Sequence, residues 1–359
     1  MIFIFNFDKI DLEFPGEDDK RTNAISLGDI DDNGIIDLVM MNGHGETNQI
    51  IIHTFNHRNS SSYDEVSLPG ISSSLSTNAI GVGDFDRDSL LDIVVANEDG
   101  PNQLLLQRVD GSFTVKYFPA DATIQTRSLV VADLNSDGSL DIIMANCDGP
   151  NIVLINDGDA DFSTNTIKIS GDEDKDDHCT SAIAVGDFDL DRVVDLVVGN
   201  SNGPNELHMN NGDGTFEFRE LPGGSRVTTS IVVGDLEQSG HLSIVVGNDG
   251  QPNQVLTQNN NELIGDDYSY IESSASSLDS AFRVIELPDL TFYQQTRAVA
   301  VGDFDGDNRL DIIIGTNANE PDVVLYNKGN LAFEATELPE STDRSTAALS
   351  VGDFTGSGV

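Results

Sequence analysis

The sequence predicts an all-β fold, a seven-bladed β-propeller of four-stranded antiparallel blades whose last blade is incomplete. Three observations carry that prediction. An acidic segment recurs seven times, a Gly/Pro/Asn turn recurs behind it, and short alternating runs fill the space between. The acidic copies read "LGDIDDNGIIDLVM" from Leu27, "VGDFDRDSLLDIVV" from Val82, "VADLNSDGSLDIIM" from Val131, "VGDFDLDRVVDLVV" from Val185, "VGDLEQSGHLSIVV" from Val233 and "VGDFDGDNRLDIIIG" from Val301, with "VGDFTGSGV" closing the chain. Their leading acids are Asp29, Asp84, Asp133, Asp187, Asp235, Asp303 and Asp353, spaced by 55, 49, 54, 48, 68 and 50 residues. A period near 50 residues is the mark of a repeat architecture.

Each period resolves into the same four strands. In the second copy "AIGVGD" enters the acidic loop, "LDIVVAN" leaves it, and "EDGPN" turns the chain into "QLLLQ". "VDGS" then leads to "FTVKYF". Short runs rich in Val, Ile and Leu with turn residues between them are antiparallel strands. Four strands repeated radially leave few open sheet edges, which is the propeller solution. The turns "NEDGPN" (97–102), "NCDGPN" (146–151), "NSNGPN" (200–205) and "NDGQPN" (248–253) keep a constant offset, with "NANEPD" (317–322) and "NGHGETN" (42–48) as looser copies. These residues are expected to serve the turn. The N-terminal "IFIFNFDKIDLEF" reads as two late strands of a blade whose first half is missing. It is expected to share a seventh blade with the final copy. The breaking-off of that copy points to one segment of a larger protein, here a single propeller domain over residues 1–359.

The chain carries 62 acids against 18 bases, a net charge of −44. Phosphate recognition needs clusters of Lys and Arg, so a nucleic-acid partner is excluded. No apolar run reaches the ~18 residues of a membrane helix, and the N-terminus has neither a basic segment nor a small-residue cleavage site. An apolar content of 38% argues against a disordered acidic chain. A salt-adapted surface and a cation binder remain.

The loops favour the cation. In D-x-D-x-D-G-x-x-D, positions one, three, five and nine present side-chain oxygens, and position seven adds a main-chain carbonyl. Hard oxygen donors of that number suit Ca²⁺, and the lack of His or Cys at the four side-chain positions disfavours Zn²⁺ and Cu²⁺. The expected ligand sets are Asp29, Asp31, Asn33, Ile35 and Asp37; Asp84, Asp86, Asp88, Leu90 and Asp92; Asp133, Asn135, Asp137, Ser139 and Asp141; Asp187, Asp189, Asp191, Val193 and Asp195; and Asp303, Asp305, Asp307, Arg309 and Asp311. About five Ca²⁺ sites result, and filling them takes the charge only from −44 to −34. The fifth copy, with Asp235, Glu237, Ser239 and Ser243, lacks the closing carboxylate and is expected to bind weakly or not at all. An EF-hand is excluded, since the twelfth positions are Met40, Val95 and Ile314 rather than Glu. Gly34 and Gly138 suit the sharp turn at position six; among Ser89, Arg192 and Asn308, which replace glycine there, Asn tolerates it best and Arg is expected to strain it.

The "VGDFDxDxxLDIVVGNxxGPNQL" grammar resembles FG-GAP/VCBS repeats, the family of integrin α-like calcium-binding propellers and of many secreted microbial proteins, over nearly the whole chain. The resemblance implies metal loops on one face and a ligand on the other, in an extracellular or cell-surface setting. The strand order then places Cys147 in a second-to-third turn and Cys179 in the connection leaving that blade. They form either one bridge or two separate thiols. Function is expected to be non-catalytic binding or adhesion toward a protein or glycan. The alternative is a carbohydrate-active propeller enzyme, a lyase, hydrolase or dehydratase. Neither G-x-S-x-G nor H-E-x-x-H occurs, so no catalytic residue is assigned. Asn59-Ser60-Ser61 is a glycosylation acceptor triplet, and the insertion around 259–280 and the acidic connection 171–179 read as long polar loops.

Overall fold

The computed structural model describes residues 3–5, 8–10, 22–43, 48–55, 61–68, 76–98, 100–118, 125–147, 149–163, 166–169, 179–259, 281–288, 295–317, 320–338 and 345–352. The glycosylation triplet, the insertion, the acidic connection except Cys179, and Asp353 lie wholly or mainly outside them.

Six four-stranded antiparallel sheets follow one another. Blade 1 comprises β3 (Thr22–Gly28), β4 (Asp37–Asn42), β5 (Gln49–Phe55) and β6 (Ser61–Ser67). Blade 2 comprises β7 (Thr77–Gly83), β8 (Asp92–Asn97), β9 (Gln103–Gln107) and β10 (Phe113–Tyr117). Blade 3 holds β11 (Thr126–Ala132), β12 (Asp141–Asn146), β13 (Asn151–Leu154) and β14 (Thr166–Ile169). Blade 4 holds β15 (Thr180–Gly186), β16 (Asp195–Asn200), β17 (Glu206–Asn210) and β18 (Phe216–Glu220). Blade 5 holds β19 (Thr228–Gly234), β20 (Ser243–Asn248), β21 (Gln254–Gln258) and β22 (Phe282–Glu286). Blade 6 ends the series with β23 (Thr296–Gly302), β24 (Asp311–Thr316), β25 (Val323–Asn327) and β26 (Phe333–Glu337).

The expected seventh blade is not formed: the described residues make six. The N-terminal strands β1 (Phe3–Phe5) and β2 (Asp8–Ile10) pair only with each other. The last repeat does dock where a further inner strand would begin. Thr346 N–H donates to the Thr316 carbonyl at 2.9 Å and its hydroxyl to Asp322 at 2.7 Å, while Leu349 packs against blade 6. Residues 345–352 nonetheless form no strand, and no second strand among the described residues pairs with them.

The core lies between blades. Every second strand is buried along its whole length (for example Asp92–Asn97 and Asp195–Asn200), and the larger apolar clusters join neighbouring sheets, as Val94, Leu104 and Phe85 join Ile142 and Met144. A size rule sets the spacing. A Cβ on Gly83 would lie 2.5 Å from Leu140 of the next blade, and one on Gly186 would lie 2.4 Å from Leu242. Blade 3 carries Ala132 at the same place, and there the next blade offers the smaller Val194.

Polar side chains stitch the same joints. The first strand of each blade has a register shift after its opening Thr. The extra residue reaches forward: Asn23 Nδ2 to the Thr77 carbonyl at 3.0 Å, Asn78 Nδ2 to that of Thr126 at 3.0 Å, and Thr229 Oγ1 to that of Thr296 at 2.9 Å. The Asn of the Gly/Pro/Asn turn does two jobs. Asn102 Oδ1 accepts the Asn97 N–H at 2.8 Å and its Nδ2 donates to Thr126 Oγ1 of the next blade at 2.9 Å. Asn253 repeats both bonds with Asn248 and Thr296.

Cys147 and Cys179 form a disulfide across a sequence separation of 32, so the bridge reading holds over the two-thiol one. It ties the middle turn of blade 3 to the entry of blade 4. Closing a loop of that size restricts the unfolded chain by about 3–4 kcal/mol. Reduction, or Cys147→Ser, should therefore lower the denaturation midpoint, and equal midpoints with and without reductant would mean the bridge is absent in solution.

Candidate metal centre

Each acidic loop joins the first strand of its blade to the second. Its shape comes from its own carboxylates. The leading Asp accepts the N–H groups of positions five and six: Asp84 from Asp88 at 3.1 Å and Ser89 at 2.9 Å, Asp29 from Asn33 at 2.9 Å and Gly34 at 2.7 Å. The residue at position five accepts the N–H of position seven. Asn33 does so from Ile35, Asp88 from Leu90, Asp137 from Ser139, Asp191 from Val193 and Asp307 from Arg309, all at 2.7–2.9 Å.

Two residues per loop adopt positive φ, where only one was anticipated. Position six does so with Ser89 (72°), Arg192 (74°) and Asn308 (64°), as do Gly34 and Gly138. Position four does so with Asp32, Arg87, Ser136, Leu190 and Gln238. The sixth copy has moved its glycine there, to Gly306. The strain expected of Arg192 is present and the loop accommodates it.

The closing Asp is a structural keystone. Asp92 is fully buried; its Oδ2 accepts the Phe85 N–H at 2.9 Å and its Oδ1 the Gln107 N–H at 2.8 Å. Asp141, Asp195 and Asp311 make the same pair of bonds with Leu134 and Asn156, Phe188 and Asn210, and Phe304 and Asn327. In Asp37 the bond to the Ile30 N–H is 2.8 Å. The amide at the end of the third strand, or in blade 3 two residues beyond it, then reaches back to the preceding blade's loop: Gln107 to the Ile30 carbonyl, Asn156 to Phe85, Asn210 to Leu134, Gln258 to Phe188 and Asn327 to Leu236, at 2.8–3.1 Å. Burial pushes Asp92 and Asp141 up to about 6 and Asp195 to about 7, against the two backbone hydrogen bonds that lower each. Asp311 is raised for the same reason.

Positions one, three and nine converge. Asp29, Asp31 and Asp37; Asp84, Asp86 and Asp92; Asp187, Asp189 and Asp195; and Asp303, Asp305 and Asp311 each bring one oxygen within 4.8 Å of the others. Asp88, Asp191 and Asp307, at position five, fall outside these triads and turn to their own loop's N–H groups. Blade 3 keeps Asp133, Asp137 and Asp141, but Asn135 takes the third position and bonds Asp137 on both its amide atoms. In blade 5, Asp235 closes its loop on Ser239 and Gly240, and Glu237 pairs with Arg283 at 3.1 Å.

The donor sets fit a hard divalent ion in blades 2 and 4, where buried Asp86 Oδ1 and Asp187 Oδ1 have no hydrogen-bond partner. The loops differ in their basic neighbours, which the sequence did not reveal. No Lys or Arg forms an ion pair with Asp187, Asp189, Asp191 or Asp195 among the described residues. Burial and the neighbouring Asp191 raise Asp189. In blade 6, by contrast, Lys328 Nζ sits 2.9 Å from Asp305 Oδ2 and holds that carboxyl below its usual range, and Arg309 pairs with Asp307. Arg108 lies 3.4 Å from Asp86, and Arg87 lies 3.6 Å from Asp137.

The FG-GAP-like repeat pattern matches residues 84–144, 133–198, 187–246 and 303–359, more than half of the chain. The chain belongs to the FG-GAP-like repeat family. No curated protein matches it. Among solved structures, it is similar to BBS1N in complex with ARL6DN, soaked with mercury, at 15% identity and a TM-score of 0.55, covering 90% of this chain and 84% of that one. The lead-soaked form of the same complex matches at 14% identity, a TM-score of 0.53, and 93% and 85% coverage. At such identity the likeness is one of fold. The FG-GAP-like loops therefore stand on a propeller scaffold of known kind, and no helix long and apolar enough to cross a membrane occurs among the described residues.

Proposed function

We propose that this FG-GAP-like propeller is a non-catalytic binding module whose loops are set by calcium and whose partner is a protein or glycan outside the cell. The observation that carries the reading is the loop of blade 4: three converging carboxylates, a buried oxygen of Asp187 without a partner, and no basic side chain among the described residues in ion-pair contact. Asp187, Asp189 and Asp195 would hold the ion, and it would supply positive charge between carboxylates that otherwise repel. Oxygen-only donors favour Ca²⁺ over softer metals. The disulfide supports an oxidising compartment. The structural neighbours are complexes of a propeller with a partner protein, which supports a binding role for this chain as well.

Melting in EDTA, with Ca²⁺ or Mg²⁺ then titrated back, tests the calcium step. An ion bound only by the folded state stabilises by about 2.7 kcal/mol per site at a hundredfold excess over its dissociation constant. The melting temperature should fall by several degrees on chelation and recover with Ca²⁺ at lower concentration than with Mg²⁺. Indifference to chelation would remove the metal from the account.

A further inference from the structure

We propose that the residue following the third strand sets how strongly each blade's loop demands a divalent ion, by supplying or withholding a tethered cation. The proposal rests on the calcium reading above and goes beyond it by ranking the loops. The register is fixed by the hydrogen bond from the third-strand terminus to the closing Asp: Gln107, Asn156, Asn210 and Asn327 each donate their N–H to its Oδ1 at 2.8–2.9 Å. The next residue is therefore equivalent in the four blades. It is Arg108 in blade 2, Asp157 in blade 3, Asn211 in blade 4 and Lys328 in blade 6.

The two basic members aim at the same target. Arg108 Nη1 lies 3.4 Å from Asp86 Oδ2, and Lys328 Nζ lies 2.9 Å from Asp305 Oδ2; both carboxylates hold position three of their loops. Lys328 is further steadied over the Tyr326 ring, 4.8 Å from its centroid. Blade 6 adds Arg309, whose guanidinium bonds Asp307 and donates from Nε to the Asn327 carbonyl at 2.7 Å. Two side chains of the same blade thus offset two of the loop's four carboxylates. An ammonium on a short tether acts at high effective concentration, so an incoming ion must displace it. In blade 2 the competition is weaker, since Arg108 also donates to Thr114 and Asp86 Oδ1 stays without a partner. Blade 4 has only the uncharged Asn211 at this place, which bonds Thr215. Its carboxylates are left to an ion. The order of demand is blade 4, then blade 2, then blade 6.

The test counts calcium bound to the full chain by equilibrium dialysis and measures site affinities by titration calorimetry. Asn211→Lys places the ammonium in blade 4, and should weaken one calcium site at least tenfold. Lys328→Asn with Arg309→Gln should strengthen or add one site by a similar factor, and Asp305→Asn added to that pair should abolish the gain. Asn211 and Lys328 are exposed, and Asn211→Arg serves as a second variant should Asn211→Lys misfold; spectra and melting in EDTA check the fold. If either the Asn211 variants or the Lys328/Arg309 variant binds calcium as the wild type does, the proposal is wrong while the calcium reading survives. If wild type and all variants bind none, both fall.

Discussion

Replacing Glu206 by Gln together with His208 by Leu should leave the protein at least as stable as the wild type, while Glu206→Ala alone should cost about 1–3 kcal/mol. Both residues lie on β17 with 5% and 2% of their surface exposed, and His208 Nε2 meets Glu206 Oε2 at 2.8 Å. They are two residues apart on a strand, so their side chains share one face. Register shows what other blades place there. Glu206 pairs with Val198 as Gln103 pairs with Val95 and Gln254 with Val246. His208 pairs with Leu196 as Leu105 pairs with Ile93 and Leu256 with Ile244. Blade 4 therefore holds a desolvated polar pair where blades 2 and 5 hold Gln and Leu and blade 3 holds Ile152 and Leu154. Each member is tolerated because the other satisfies it, and removing one strands its partner in the core. Restoring the Gln/Leu arrangement leaves one buried amide in place of a carboxylate and an imidazole, which lowers the desolvation cost. Urea denaturation of the single and double variants, read as midpoints with a common slope, decides the matter. A double variant as unstable as the single one would show that the pair contributes more than its burial costs.

What the sequence made legible was local. The nine-residue loop carries its chemistry in its own spacing, and the strands on either side announce themselves by β-branched runs such as Ile312–Ile314, which are buried as expected. The constant turn Asn was readable as a turn residue, but its second bond, to a Thr one blade further on, was not. That bond spans 24 residues for Asn102 and 43 for Asn253. The reach of Asn327 to the Leu236 carbonyl spans 91. Nothing in one repeat shows which atom of another it will meet. Gly28, Gly83, Gly186 and Gly234, each before a leading Asp, fall in the same class, because their reason is the Leu of the next blade, and only the joint change to Ala132 and Val194 betrays the pairing. The blade count failed for a related reason. A repeat motif marks where a strand can begin, and Thr346 and Leu349 do dock as a beginning, but a blade needs three further strands to complete its ladders. The tethered cations were missed because Lys328 stands 23 residues beyond Asp305 and outside the motif.

Asp195→Ala should destabilise the chain by about 3–5 kcal/mol even in EDTA, so the closing Asp is more than a metal ligand. Its two oxygens hold the N–H groups of Phe188 and Asn210 at 2.8 and 2.9 Å, and only 1% of its surface is exposed. Truncation leaves two buried donors unsatisfied, each worth about 1–3 kcal/mol. Blade 5 shows what the fold does without the carboxylate: Ser243 stands there, and Leu236 N–H turns to the Gly234 carbonyl at 3.0 Å. The same carboxylate fixes a pH dependence. Burial raises it from 3.8 to about 7, so the folded state binds a proton that the unfolded state has released. The stability tied to that proton is fully present below about pH 4 and is lost as pH rises through 7. Asp92 and Asp141, at about 6, act in the same direction. Chelated protein should therefore melt higher at pH 5 than at pH 8, with part of the difference removed in Asp195→Asn. Calcium should narrow the gap from the alkaline side, since it needs the ionised carboxylates that the chelated fold resists. Calorimetry at both pH values, with EDTA and with Ca²⁺, separates the two roles. A chelated protein that melts higher at pH 8 would refute the protonation argument, and an Asp195→Ala cost below 1 kcal/mol would refute the keystone.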